Sequence, residues 1–102
     1  MHAKTAETII RAFCLAYDLD LGPKPFRDPK TWTGEYGTSS EIIVMHEGSD
    51  ADRALSLDGA YEHRDYSLYN ALDDALREVG LYLEQCTRSY SAVYCESAGV
   101  KS

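Results

Sequence analysis

The sequence predicts an α+β domain, a small antiparallel sheet of three to four strands with two helices packed on one face, in the order α-β-β-β-α-β. Three observations carry this. Two stretches, near residues 5–18 and 65–83, repeat apolar residues at the three- and four-residue spacing of a helix. Between them, and again near the end, short runs alternate apolar and polar positions, the period of a half-buried strand. The runs lie close together and are separated by turn residues, which favours an antiparallel meander. A helix with one apolar stripe covers one sheet face, so packing the two together is the simplest way to close a core. The chain has 102 residues, enough for one such core but not two, and is read as a single domain, 1–102. Its hydrophobic fraction of 44% argues for a folded chain rather than an acidic disordered tail.

The first helix is expected from about Thr5 to Asp18. Ala6, Ile9, Ile10, Phe13, Ala16 and Tyr17 share one face, while Glu7 and Arg11 pair four apart on the other. Gly22-Pro23 ends it, because Pro has no N–H to donate and disfavours helix in the residue before it. Residues 22–31 read as an extended crossing anchored by Phe26. Trp32, Gly34 and Tyr36 then alternate with Thr31, Thr33 and Glu35 as a first strand, and Gly37-Thr38-Ser39 as a turn. Ile42, Ile43, Val44 and Met45 are apolar on both parities, which suits a strand covered on both faces. A third strand is expected at Leu55–Asp58, with Leu55 and Leu57 inward and Asp58-Gly59 turning.

The second helix carries Leu68, Leu72, Ala75, Leu76, Val79 and Leu83 in one stripe, with Asp65 or Ser67 able to cap it. Asp73 and Arg77 form an i,i+4 pair assigned to its outer side, with Asp74 and Glu78. Gly80 either ends this helix or marks a close packing point. Tyr90, Ala92 and Tyr94 alternate with Ser91, Val93 and Cys95 as a last strand, and residues 96–102 are expected to form a flexible tail.

Charge is unevenly placed. Residues 35–78 hold eleven acids and only three arginines, so this stretch alone is net −8 in a chain of net −7. Such a field disfavours nucleic acid and anionic membrane as direct partners and attracts basic surfaces. The acids interleave with tyrosines: Asp58, Tyr61, Glu62, Asp65, Tyr66, Tyr69, Asp73, Asp74 and Glu78. Carboxylates beside aromatic rings suit recognition of Arg and Lys, through ion pairs and cation–π contact. These nine residues are the candidate partner-binding set.

Catalytic and cofactor motifs are absent from the sequence: there is no P-loop, no G-x-G-x-x-G and no G-x-S-x-G. No cofactor is expected, and no metal, since the three histidines and three cysteines lack ligand spacing. His46-Glu47 and Glu62-His63 could meet across neighbouring strands, although ordinary strand-end positions account for them. Cys14, Cys86 and Cys95 are odd in number and suit free thiols, and Met1-His2-Ala3-Lys4 lacks a signal core, so a cytoplasmic protein is expected.

In size, acidity and its acid–tyrosine stretch Asp58–Glu78, the chain resembles the small phage-encoded inhibitors of bacterial defence, the anti-CRISPR proteins and DNA mimics. That resemblance is one of character. It implies a non-catalytic, stoichiometric inhibitor that blocks the nucleic-acid-binding site of a host defence complex in the host cytoplasm. Its partner would be a basic surface of a nucleic-acid-binding protein or ribonucleoprotein. Two alternatives remain open: a small homodimeric adaptor or immunity-type protein, with the second sheet face covered by another copy, and a small enzyme using His46, His63 and Cys86.

Overall fold

The computed structural model describes residues 2–96 and shows an α+β fold with a four-stranded antiparallel sheet and four helices. The chain runs α1 (His2–Ala16), β1 (Phe26–Arg27), a 3-10 turn (Pro29–Thr31), β2 (Ile42–Met45), α2 (Asp52–Leu55), α3 (Leu57–Glu62), α4 (Ser67–Arg77), β3 (Leu81–Gln85) and β4 (Tyr90–Cys95). The sheet order is β1-β2-β4-β3, which puts β2 and β4 in the middle, with Ile42 opposite Val93 and Val44 opposite Ser91.

Both faces of the inner strands are covered, as the apolar run 42–45 requires. On one face Ile42, Val44, Leu81, Leu83 and Val93 pack with Ile10 and Cys14 of α1, Ala54 and Leu55 of α2, and Leu72 and Leu76 of α4. On the other, Ile43, Tyr90 and Ala92 form a smaller cluster with Trp32, Met45, Cys86 and Tyr94. The chain therefore covers its second sheet face itself. Trp32 meets Tyr90 edge to face at 4.9 Å, and the Tyr90 hydroxyl straps the covering loop down. That hydroxyl accepts from the Tyr36 N–H at 3.1 Å and donates to the Tyr36 C=O at 3.0 Å.

Several expected elements are corrected. The segment Thr31–Tyr36 is the covering loop rather than a strand, because Trp32 packs across the sheet face and not along a ladder. The stretch 55–58 is the junction of two short helices, with Leu55 ending α2, Ser56 extended between them and Leu57 opening α3. Ser56 accepts the Gly59 N–H at 3.2 Å and starts α3, so Asp58-Gly59 lies inside a helix and not in a turn. The observed order thus has two short helices where the third strand was expected, and four helices rather than two. The last helix stops at Arg77. Gly80, with φ +82°, takes the left-handed conformation that closes a helix end at little cost. Leu83 then belongs to strand β3, and Val79, beyond the helix, is 47% exposed. In α1 the buried residues are Ala6, Ile10 and Cys14, whereas Ala16 and Tyr17 are exposed.

Other expectations match the structure. Phe26 packs against the core, Arg11 Nε lies 2.8 Å from Glu7, and the last strand spans 90–95. Cys14, Cys86 and Cys95 form no disulfide with one another. Glu96, placed in the tail by sequence, is held by its N–H to the Gly80 C=O at 2.7 Å and by its carboxylate to Arg77 at 3.0 Å. The rest of the expected tail lies outside the described residues. No helix among the described residues is long and apolar enough to cross a membrane.

Two substitutions test this packing. Leu72 is fully buried in the main core, so Leu72→Ala should cost about 2–5 kcal/mol in urea unfolding. A loss below ~1 kcal/mol would place the α4 face wrongly. Gly59 packs so closely on α2 that a Cβ there would overlap the Asp52 carbonyl. Although alanine is the better helix former, Gly59→Ala should lower stability by about 1–3 kcal/mol, and a gain in the same assay would mean that α2 and α3 separate easily.

Candidate functional site

The unexpected pair of short helices builds a recess. Leu19 is buried and its N–H donates to the Cys14 C=O at 2.7 Å, which turns the chain at the end of α1. The Ala51 N–H donates to the Asp20 C=O at 3.2 Å and draws the start of α2 against that turn. Together with the C-terminal end of α3, these segments wall a hollow of about 620 Å³ lined by Asp18, Asp50, Asp52 and Glu62, with Arg53 and His63 as its two basic side chains. Its four carboxylates outnumber its basic side chains, so the hollow is acidic.

The floor of the recess reaches a buried imidazole. Asp52, its side chain 24% exposed, lies with Oδ1 2.6 Å from Nδ1 of His46, whose side chain has no exposure. On the other side, His46 Nε2 lies 2.9 Å from Ser91 Oγ, and that hydroxyl is 2.7 Å from the Leu55 C=O. One chain of polar contacts therefore joins α2, the end of β2 and the middle of β4. Burial holds the His46 imidazole below its ordinary pKa, against the opposing pull of Asp52 and Glu47. The order Asp–His–Ser is that of a hydrolytic triad, but Ser91 and His46 sit inside the core where no substrate carbonyl can reach the hydroxyl.

The nine sequence-selected residues divide. Tyr61, Glu62, Asp65, Tyr66, Asp74 and Glu78 are exposed, with Tyr61 at 71% and Tyr66 at 43%. Glu62 lies 4.0 Å from Arg88 with both side chains in solvent, a pair worth little. Asp65 accepts the Ser67 hydroxyl at 2.6 Å and its amide at 2.9 Å, which depresses its pKa and begins α4. The remaining three are occupied structurally. Asp58 accepts from Gln85 Nε2 at 2.9 Å, and half-buried Tyr69 packs on the main core. Asp73 is not an outer residue: besides Arg77 at 2.8 Å it accepts the Leu83 N–H at 2.9 Å, occupying part of the free edge of β3.

The meeting of His46-Glu47 with Glu62-His63 across neighbouring strands does not occur, because Glu62 ends the helix Leu57–Glu62 and no strand carries it. Nor are His46, His63 and Cys86 brought together, since Cys86 belongs to the cluster on the opposite sheet face. Among the described residues no group of His, Cys, Asp and Glu is arranged to hold a metal. Sequence reasoning missed Asp18, Asp50 and Asp52 as a site, because they are joined only through the turn after α1. His46 left one trace, for it continues the inward parity of Ile42 and Val44. A second hollow of about 580 Å³ mixes Arg27 and Lys30 with Glu7, Asp28 and Glu41 and has no dominant sign. Comparisons with protein-family models, curated proteins and solved structures find no match to this chain.

The buried imidazole makes stability depend on pH. Its pKa in the folded chain is below the unfolded value of 6.5, so the unfolded chain binds more protons in the window beneath 6.5. Stability should be full above that value and fall as pH drops towards the folded pKa. Asp65, the carboxylate whose pKa is held low, titrates further down and leaves this window clear. Urea midpoints at about pH 7.5 and about pH 5.5 should differ in wild type and much less in His46→Gln. A flat wild-type profile would show that Asp52 cancels the effect of burial.

Proposed function

We propose that this protein acts by binding, presenting an acidic, tyrosine-bearing helical side to a basic surface on a nucleic-acid-handling partner. The observation that carries the reading is the recess walled by Asp18, Asp50, Asp52 and Glu62, which can take an Arg or Lys side chain. Exposed Tyr61 precedes Glu62, and Tyr66 follows Asp65, so ring faces are available beside the carboxylates for cation–π contact. In its specific form the reading makes the chain an inhibitor of a host defence complex, occupying the groove where that complex holds DNA or RNA. The acidic field would speed encounter, and a few seated cations would set the lifetime of the complex. The homodimer alternative loses its motive, because the second sheet face is covered by the Trp32 loop.

The test is competition. A partner retained from bacterial lysate at low salt should elute as salt rises and should be displaced by its own DNA or RNA. Asp73 is unsuitable for charge reversal because it holds β3, but Asp50 and Glu62 are both exposed. The double variant Asp50→Lys/Glu62→Lys should keep its unfolding free energy within ~0.5 kcal/mol. It should compete at least about tenfold more weakly than wild type, a difference of ~1.4 kcal/mol. Equal competition by the two proteins would remove the recess from the function.

A further inference from the structure

The buried chain below the recess contains a proton with two places to go. An ionised Asp52 can only accept, so His46 Nδ1 must carry a hydrogen toward it across the 2.6 Å contact. Ser91 Oγ has one proton and two neighbours to receive it, His46 Nε2 at 2.9 Å and the Leu55 C=O at 2.7 Å. When the imidazole is neutral, Nε2 is an acceptor and takes the Ser91 proton, which leaves the Leu55 carbonyl without that donor. When the imidazole is charged, Nε2–H donates to Ser91 Oγ and the hydroxyl turns to Leu55, so each of these contacts has one donor and one acceptor. The charged state thus gains a hydrogen bond, while burial of the charge opposes it. Burial prevails, so the imidazole takes its charged form only as pH falls below its ordinary range.

We infer that Ser91 and His46 form a two-position proton relay that sets the charge of the recess, so that a cation seated against Asp52 drives His46 to its neutral form, the Nε2 proton leaving to bulk water and the Ser91 hydroxyl turning from Leu55 to Nε2. This deepens the binding role proposed above and rests on it. With His46 protonated, Asp52 faces the recess already compensated. With His46 neutral, its full negative charge is turned to the ligand. Linkage makes the effect reciprocal: a cation that expels the proton binds more tightly where the proton is already gone. The groups that face the imidazole are Asp52 from α2, Glu47 beside it on its own segment, and Ser91 and the Tyr90 backbone from β4. Those that face the ligand beside Asp52 are Asp18, Asp50, Arg53, Glu62 and His63. His63 is a second imidazole in the recess, and the experiment has to separate it.

The probe is a tetra-arginine peptide acetylated and amidated at its ends, titrated into the full chain while imidazole NMR signals are followed across pH. Binding should lower the His46 midpoint by about half a unit, with affinity about threefold tighter above the midpoint than below it. The shift should persist in His63→Gln. Ser91→Ala deprives the imidazolium of its Nε2–H acceptor, so in the free protein the His46 midpoint should fall below that of wild type. Peptide that binds without moving His46, or a shift that vanishes with His63→Gln, overturns the relay while the binding role stands. An unchanged midpoint in folded Ser91→Ala also overturns it. Peptide that fails to bind at any pH overturns the relay together with the recess as a cation acceptor.

Discussion

The inner strands Ile42–Met45 and Tyr90–Cys95 carry apolar side chains on both faces, and the remaining elements are arranged around the need to cover them. Val44 and Val93 face the helices, while Ile43 and Ala92 face the other way. A sheet of four strands cannot leave either face in water when each buried aliphatic side chain contributes about 1.5–3 kcal/mol. The helical layer answers one face with Ile10, Leu72 and Leu76. A loop answers the other with Trp32, held by the Tyr90 hydroxyl. That second cover makes the central strands an internal element.

The same economy places the recess. After β2 the chain must return to the helical layer quickly, and it does so through two short helices rather than another strand. Asp52 at the start of α2 meets His46, the residue at which β2 ends, and Ser91 meets both His46 and the end of α2. The polar chain joins three elements where an aliphatic trio could have packed. A buried polar network of this kind stays favourable only while each donor has its acceptor, so it fixes the position of α2 more narrowly than apolar contact could. It also leaves one carboxylate between a buried imidazole and an open acidic hollow. Stability and the charge of the hollow then share a single group.

Acidity alone says little about a small protein, because many carry negative surfaces for solubility. What distinguishes this chain is that its acids have separate duties. Asp73 ends a strand edge, Asp65 begins a helix and Asp58 holds Gln85, while Asp18, Asp50 and Glu62 face the open hollow. Charge counted along the sequence adds these together as one field. Charge seen on the fold separates the carboxylates that line the open hollow from those that hold a strand edge, a helix start or a side-chain amide.

By itself the sequence determined the α+β class, the long first and last helices, the doubly covered strand 42–45 and the last strand. Each rests on a local period or on composition, which neighbouring residues alone can express. Tertiary structure decided the rest. Leu55 and Leu57 fit an alternating pattern, yet Ser56 capping Gly59 and close packing of Gly59 on Asp52 made that stretch helical. Leu83 fits the helical stripe by spacing, but Gly80 closed the helix first and gave Leu83 to the sheet. Trp32 and Tyr36 alternate like a strand, yet Trp32 covers the second face of β2 and β4 while the Tyr36 backbone is tied to the Tyr90 hydroxyl. His46, Asp52 and Ser91 lie up to 45 residues apart, and Asp18 reaches Asp50 only across a turn. Contacts between distant segments leave no periodic trace, so the candidate site became visible only when the chain had closed on itself.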